Sequence, residues 1–169
     1  PALFSSMVIK SVGRTAQLMV VEVRRQFREI AGLLQGRVQP DYSRCVDIAT
    51  RGALGQLVFP CLLATSIPFV TIFVLGREAL AGLLAGCIVC GMFLSFFMSN
   101  VGGAWDNAKK RIEAKGVGVR STPMHKASVI GDTVGDPLKD TAGPTINILV
   151  QLVSTVSLAF APLFLRMLE

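Results

Sequence analysis

Apolar residues in this chain run in long blocks separated by short polar segments, and the block lengths suit membrane-spanning helices. Leu57–Gly76, Ala79–Trp105 and Thr141–Leu165 contain no charged residue. A hydrocarbon core about 30 Å thick needs roughly 20 such residues in a helix, so each block predicts one crossing. A fourth block, at the N-terminal end, starts apolar and then acquires Lys10, Arg14, Glu22, Arg24 and Arg25. It predicts a helix whose second half emerges into water. The expected elements are helices over 1–31, 42–75, 78–115 and 124–167, all within one transmembrane portion covering 1–169. Gly32–Pro40 (GLLQGRVQP) and Lys115–Thr122 (KGVGVRST) read as loops, and Asp41–Arg51 as a polar lead-in. Pro60 and Pro68 predict kinks in the second helix. Gly82 and Gly86 form a GxxxG pair suited to close helix approach. The expected fold class is all-α, a polytopic transmembrane helix bundle.

Composition agrees: 51% of residues are hydrophobic and the mean hydropathy is +0.57, which excludes an ordinary soluble domain. Charge sets the expected topology. Of 17 basic residues, six lie between Arg24 and Arg51 and seven between Lys109 and Lys139. The positive-inside rule makes both segments cytoplasmic and places the Gly76–Glu78 link and the C-terminus on the far side. The net charge of +6 is then a topological feature. No aromatic-basic interleaving points to a nucleic acid. The chain opens with Pro1 inside an apolar run, as expected of a fragment of a longer protein, and shows no signal peptide.

The most informative stretch is Gly131–Pro144, GDTVGDPLKDTAGP, directly before the last apolar block. On one straight helix, at about 100° per residue, Asp132, Asp136, Lys139 and Asp140 fall at about 0°, 40°, −20° and 80°. They share a stripe. Clustered carboxylates at a membrane helix end repel one another and resist desolvation, so they call for cations. Hard oxygen ligands favour Mg²⁺, and Mg²⁺ beside lysines suggests a phosphate substrate. An acidic cap at a helix start accounts for one of these aspartates, not three over two turns. Asn147, at about 60°, would line the same stripe deeper in the membrane, with Gln151 at its edge near 100°, and such a polar pair equally suits interhelical hydrogen bonding.

The third helix carries a second polar cluster where it leaves the membrane, in GGAWDNAKK (102–110). Asp106, Lys109 and Lys110 are spaced i, i+3, i+4 and share a face. Lys110 and Arg111 also suit an ordinary basic anchor. Cys87 and Cys90 form a CxxC without a second pair, inside an apolar span, and read as inert. His125 is the sole histidine, at a helix start. No Gly-rich phosphate loop is present.

The strings EVRRQF (22–27), GGAWDNAKK (102–110) and HKASVIGDTVGDPLKDTAGP (125–144) resemble the membrane-bound, ion-translocating pyrophosphatases. The resemblance extends over essentially the whole chain, including Pro-Asp-Tyr of the first loop and the Ser-Leu-x-Phe-Ala-Pro near the end. It implies the last four of about sixteen helices in each subunit of a homodimer, the rest lying upstream. It implies Mg-pyrophosphate hydrolysis at the cytoplasmic face, coupled to movement of a proton or sodium ion across a bacterial inner or vacuolar-type membrane. Asp106 and Asp136 would bind magnesium, with Asp132 a supporting acid of the same signature. Lys109 and Lys139 would grip pyrophosphate oxygens. Asp140 would be one of two aspartates that position and deprotonate the attacking water. Neither potassium dependence nor the pumped ion follows from these residues. Gln151 departs from the pattern, since most members carry a lysine there that would pair with acids of the ion gate. Two rival classes remain at this level. One is an intramembrane Mg²⁺-dependent prenyl- or phosphatidyl-transferase, which leaves Lys109 and Lys139 unexplained. The other is a non-enzymatic channel segment, which leaves the acids without a purpose.

Overall fold

The computed structural model describes residues 1–120 and 122–167. Their regular elements are all helical. They are α1 (Ala2–Glu29), α2 (Tyr42–Leu75), α3 (Arg77–Glu113), α4 (Pro123–Asp136), a π-helical turn (Pro137–Ala142), α5 (Gly143–Ala159) and α6 (Ala161–Met167). A short 3₁₀ turn, Val117–Val119, precedes α4. Three helical runs are long and apolar enough to cross a membrane: Tyr42–Leu75, Arg77–Glu113 and Pro123–Ala159. In α1, Lys10 and Arg14 interrupt the apolar half. Many large apolar side chains are exposed, among them Phe59, Phe93, Phe96 and Leu158. Such surface suits lipid or further helices.

By contact density the chain forms two compact units, residues 10–59 and residues 1–9 with 60–169. In the first, Gln26 grips the end of the interhelical loop. Its amide nitrogen donates to the Asp41 carbonyl at 3.0 Å, and its amide oxygen accepts from the Asp41 N–H at 2.9 Å. Glu22 and Gln26 are buried there, and Arg25 forks onto both Glu22 oxygens at 2.7 and 3.0 Å. Gly32 (φ 88°) and Gly36 (φ 68°) turn the loop through the left-handed region that glycine tolerates.

In the second unit, Phe4, Val8, Ala64, Leu149 and Val153 form one core cluster, and Ile72, Leu80 and Phe164 another. Pro60 and Pro68 lie within α2, which continues through both as a helix. α3 packs lengthwise against α4, the π turn and α5. Between membrane helices the driving force is close packing rather than water exclusion, so small residues set the contact. A methyl on Gly91 would come within 2.7 Å of Val150, one on Gly143 within 2.3 Å of Ser99 Oγ, and one on Gly102 within 2.4 Å of the Gly135 carbonyl oxygen. Ser95 Oγ donates to the Gly143 carbonyl at 2.8 Å, in a buried position. The GxxxG pair does not mark this interface: methyls on Gly82 or Gly86 would meet nothing within 4 Å.

The element expected over 124–167 is not one straight helix. Thr122 caps its start, accepting from the His125 N–H at 3.3 Å, with Pro123 in the first turn. Pro137 and Pro144 then remove two N–H groups that an α-helix would use. Between them the ladder widens, and the Gly143 N–H bonds five residues back to the Leu138 carbonyl. The Thr145 hydroxyl donates to the Thr141 carbonyl. A π turn holds one extra residue, so α5 is rotated by roughly 100° from a straight-helix phase.

Candidate functional site

Antiparallel packing of α3 on α4 and the π turn converts two sequence clusters into one set of cross-helix pairs. From the loop end inward, His125 Nε2 lies 3.1 Å from Glu113, Lys109 Nζ 2.6 Å from Asp132 and Lys139 Nζ 2.8 Å from Asp106. Trp105 fills the space beside them, with ring atoms 3.6 Å from a methyl position on Gly131 and 3.2 Å from one on Gly135. The pairs lie beyond the charge-free stretches 79–105 and 141–165, at the polar end of the hairpin.

Lys139 is the hub. Its ammonium is 2.8 Å from Asp106, 3.5 Å from Asp136 and 3.6 Å from Asp140. Hydrogen bonding to Asp106 holds its pKa above the ordinary lysine value. Asp106 also receives Lys110 at 2.8 Å, and hydrogen bonds from Lys110 and then Lys139 pull its pKa down to about 2. Lys109 is likewise raised, chiefly by its bond to Asp132. These groups are therefore charged at neutral pH.

Asp132 is buried, and its second carboxylate oxygen, Oδ1, has no hydrogen-bond partner among the described residues. An unmatched buried carboxylate oxygen is costly unless a cation or proton donor meets it. Asp136 and Asp140 differ from it in being well exposed, their side chains 50% and 65% accessible, so neither is consumed by internal pairing. Four carboxylates thus face three ammoniums. A multiply charged anion entering such a site needs additional cations.

The oxygen-only donor set with one orphan oxygen fits a hard divalent cation. No three acidic, histidine or cysteine side chains close enough to hold one metal occur among the described residues. Mg²⁺ commonly uses one or two carboxylates plus phosphate oxygens, so the residues suit a metal that shares its shell with a phosphate ligand.

Six of the expected site residues, Asp106, Lys109, Asp132, Asp136, Lys139 and Asp140, therefore come together. Asn147 and Gln151 do not join this cluster. Both are exposed on α5, turned away from the buried face of Ile146, Leu149 and Val153. Their straight-helix phases do not survive the π turn. Sequence reasoning missed the His125–Glu113 pair and the Gly102–Gly135 crossing. The two prolines seven residues apart, Pro137 and Pro144, were the signal for the widened turn. Cys87 is half-buried and Cys90 exposed, and both are free thiols.

Residues 1–160 match the profile of the family described as inorganic H⁺ pyrophosphatase. The chain is 53% identical over 165 residues to a K⁺-insensitive pyrophosphate-energized proton pump of Methanosarcina mazei, covering 98% of this chain and 25% of that protein. It is 51% identical over 166 residues to a putative K⁺-stimulated pyrophosphate-energized sodium pump of Clostridium tetani, with 98% and 25% covered. A K⁺-stimulated sodium pump of Thermotoga maritima is 49% identical over 164 residues, with 95% and 22% covered. The chain thus spans about a quarter of the length of these relatives.

Proposed function

The chain belongs to the inorganic H⁺ pyrophosphatase family, and from that premise we propose that it supplies part of a Mg-pyrophosphate hydrolysing site that drives ion transport across a membrane. The observation that carries this reading is the Lys139 ammonium held among Asp106, Asp136 and Asp140, beside the Lys109–Asp132 pair. Lysines paired with aspartates in this way are charged and oriented before substrate arrives, which lowers the reorganisation cost of binding. Lys109 and Lys139 take the oxygens of the diphosphate. Asp106 and Asp136 ligate magnesium, with Asp132 as a supporting acid. Magnesium, when bound, neutralises the diphosphate charge that would repel a nucleophile.

Asp140, exposed and 3.6 Å from Lys139, orients a water and accepts its proton. The water oxygen bonds to one phosphorus, the bridging P–O bond breaks, and the second phosphate leaves with the electron pair. A second aspartate for this step belongs to the upstream polypeptide, as the family resemblance implies. Asn147 and Gln151 then line the path of the transported ion. Near-equal identity to proton and sodium pumps leaves the ion to local residues rather than to general similarity. The same resemblance supports a homodimer, and the basic segments support a cytoplasmic site with the C-terminus opposite. Nothing observed favours the transferase alternative.

The test uses the full-length protein in sealed vesicles, with phosphate release and ion uptake read together. Asp106→Asn and Asp136→Asn each remove a ligand's charge at nearly constant size and are expected to abolish both signals. Near-normal turnover in both variants would remove the metal assignment.

A further inference from the structure

A methyl group on Gly102 would lie 2.4 Å from the Gly135 carbonyl oxygen, 2.6 Å from Lys139 Cβ and 2.9 Å from the Lys139 amide nitrogen. The first and last are main-chain atoms, which no rotamer change can move. On Gly103, the next residue, the same methyl meets nothing within 4 Å. The backbone of α3 therefore rests directly on the end of α4, at Gly135, and on the π turn that carries Lys139. One helical turn further along the same face of α3 stands Asp106, the 2.8 Å partner of the Lys139 ammonium.

We infer that Gly102 is a positioning residue for diphosphate hydrolysis: its missing side chain lets the Lys139 turn seat on α3, so that the Lys139 ammonium sits among Asp106, Asp136 and Asp140. This rests on the diphosphate-site reading above. Geometry gives the reason. Lys139 is reached from the π turn after α4 and Asp106 from α3, so their separation tracks the separation of the two backbones. Parting the helices to admit a methyl moves Lys139 and Asp140 away from Asp106 together. A displacement of about 1 Å in a catalytic constellation costs on the order of a hundredfold in rate.

The contact at Gly91 separates positioning from mere packing. It belongs to the same α3 interface and is also tight, with a methyl 2.7 Å from Val150 Cγ2, but it lies about 16 Å along the helix from Gly102. In the full-length protein, KM and kcat for Mg-pyrophosphate and the Kd of a non-hydrolysable diphosphonate are measured for wild type, Gly102→Ala, Gly103→Ala and Gly91→Ala. Gly102→Ala is expected to weaken diphosphonate binding and lower kcat/KM by about 10- to 100-fold. Gly103→Ala and Gly91→Ala are expected to stay within about twofold, with Gly91→Ala showing only reduced heat tolerance. Should Gly102→Ala fail to assemble, Gly135→Ala decides. It enters the same crossing from the other side, with its methyl 3.1 Å from Gly102 Cα, and is expected to give an intermediate loss. Wild-type binding in the deciding variant overturns the inference, as does an equal loss in Gly91→Ala or Gly103→Ala. A wild-type protein that neither hydrolyses pyrophosphate nor binds the diphosphonate overturns the underlying reading as well, and that control tells the two failures apart.

Discussion

Two acid–base clusters in this molecule are built from similar side chains and end in opposite states. Around Glu22, both carboxylate oxygens are engaged: Arg25 and Gln26 reach one at 2.7 and 2.9 Å, Arg25 and Arg44 the other at 3.0 and 3.4 Å. Arginine forks match a carboxylate in geometry as well as charge, and the result is a saturated clasp that ties α1 to the start of α2. Around Lys139, one ammonium serves three carboxylates, two of them at 3.5 Å or more, and Asp132 Oδ1 is unmatched. Lysine brings a point charge on a flexible stem, able to exchange a carboxylate for a phosphate oxygen. A cluster that completes its own bonding stabilises the fold. One that leaves acceptors unmet has bonding capacity to offer a ligand, which is the basis of the function proposed above.

The contrast can be broken at its strongest point first. Lys139→Gln in the full-length protein should lower hydrolysis by on the order of 10²–10³-fold, as loss of one preorganised electrostatic contact does. Phosphate release measures the loss, and heat tolerance should change little because Asp106 keeps Lys110 at 2.8 Å and Asp136 and Asp140 are already largely solvated. If Lys139→Gln collapsed the protein without a selective catalytic effect, the two clusters would be alike.

Glu22→Gln should do the reverse, lowering heat tolerance while hydrolysis stays within about twofold. The acid limb of stability offers a matching check. Hydrogen bonds from Arg25 and Gln26 hold the Glu22 carboxyl at about 2, below its ordinary 4.5. A depressed carboxyl contributes stability that is complete above the ordinary value and lost as pH falls through the folded one. Protection of the α1–α2 amides against hydrogen exchange should therefore be flat above about pH 4.5 and fail toward pH 2. Glu22→Gln should remove that acid limb.

The smallest effect is expected at Gln151, which belongs to neither cluster. Gln151→Lys should change the ratio of ions moved to pyrophosphate hydrolysed, or its pH dependence, more than hydrolysis itself. A cation placed on that face would favour ionisation of any carboxylate packed against it in the complete protein. An unchanged ratio and pH profile in sealed vesicles would make Gln151 a packing residue.

The sequence by itself determined the helical class, the apolar spans and which charged residues gather at the helix ends. Those are local properties: block length sets a crossing, and spacing by three or four residues puts Asp106 near Lys109 and Lys110 whatever lies opposite. Only the tertiary structure decided the pairing. Lys109 meets Asp132 and Lys139 meets Asp106 because α3 packs antiparallel on α4, with Gly102 close against Gly135, a contact between residues far apart in the chain. The same holds for the GxxxG pair, which has the right local pattern but no helix within methyl contact among the described residues, and for Asn147 and Gln151, whose phase depends on the π turn between Pro137 and Ala142. Periodicity assumes a uniform helix and an unspecified partner. Two missing N–H groups and one missing methyl, read against the helix they face, are what set the geometry of this site.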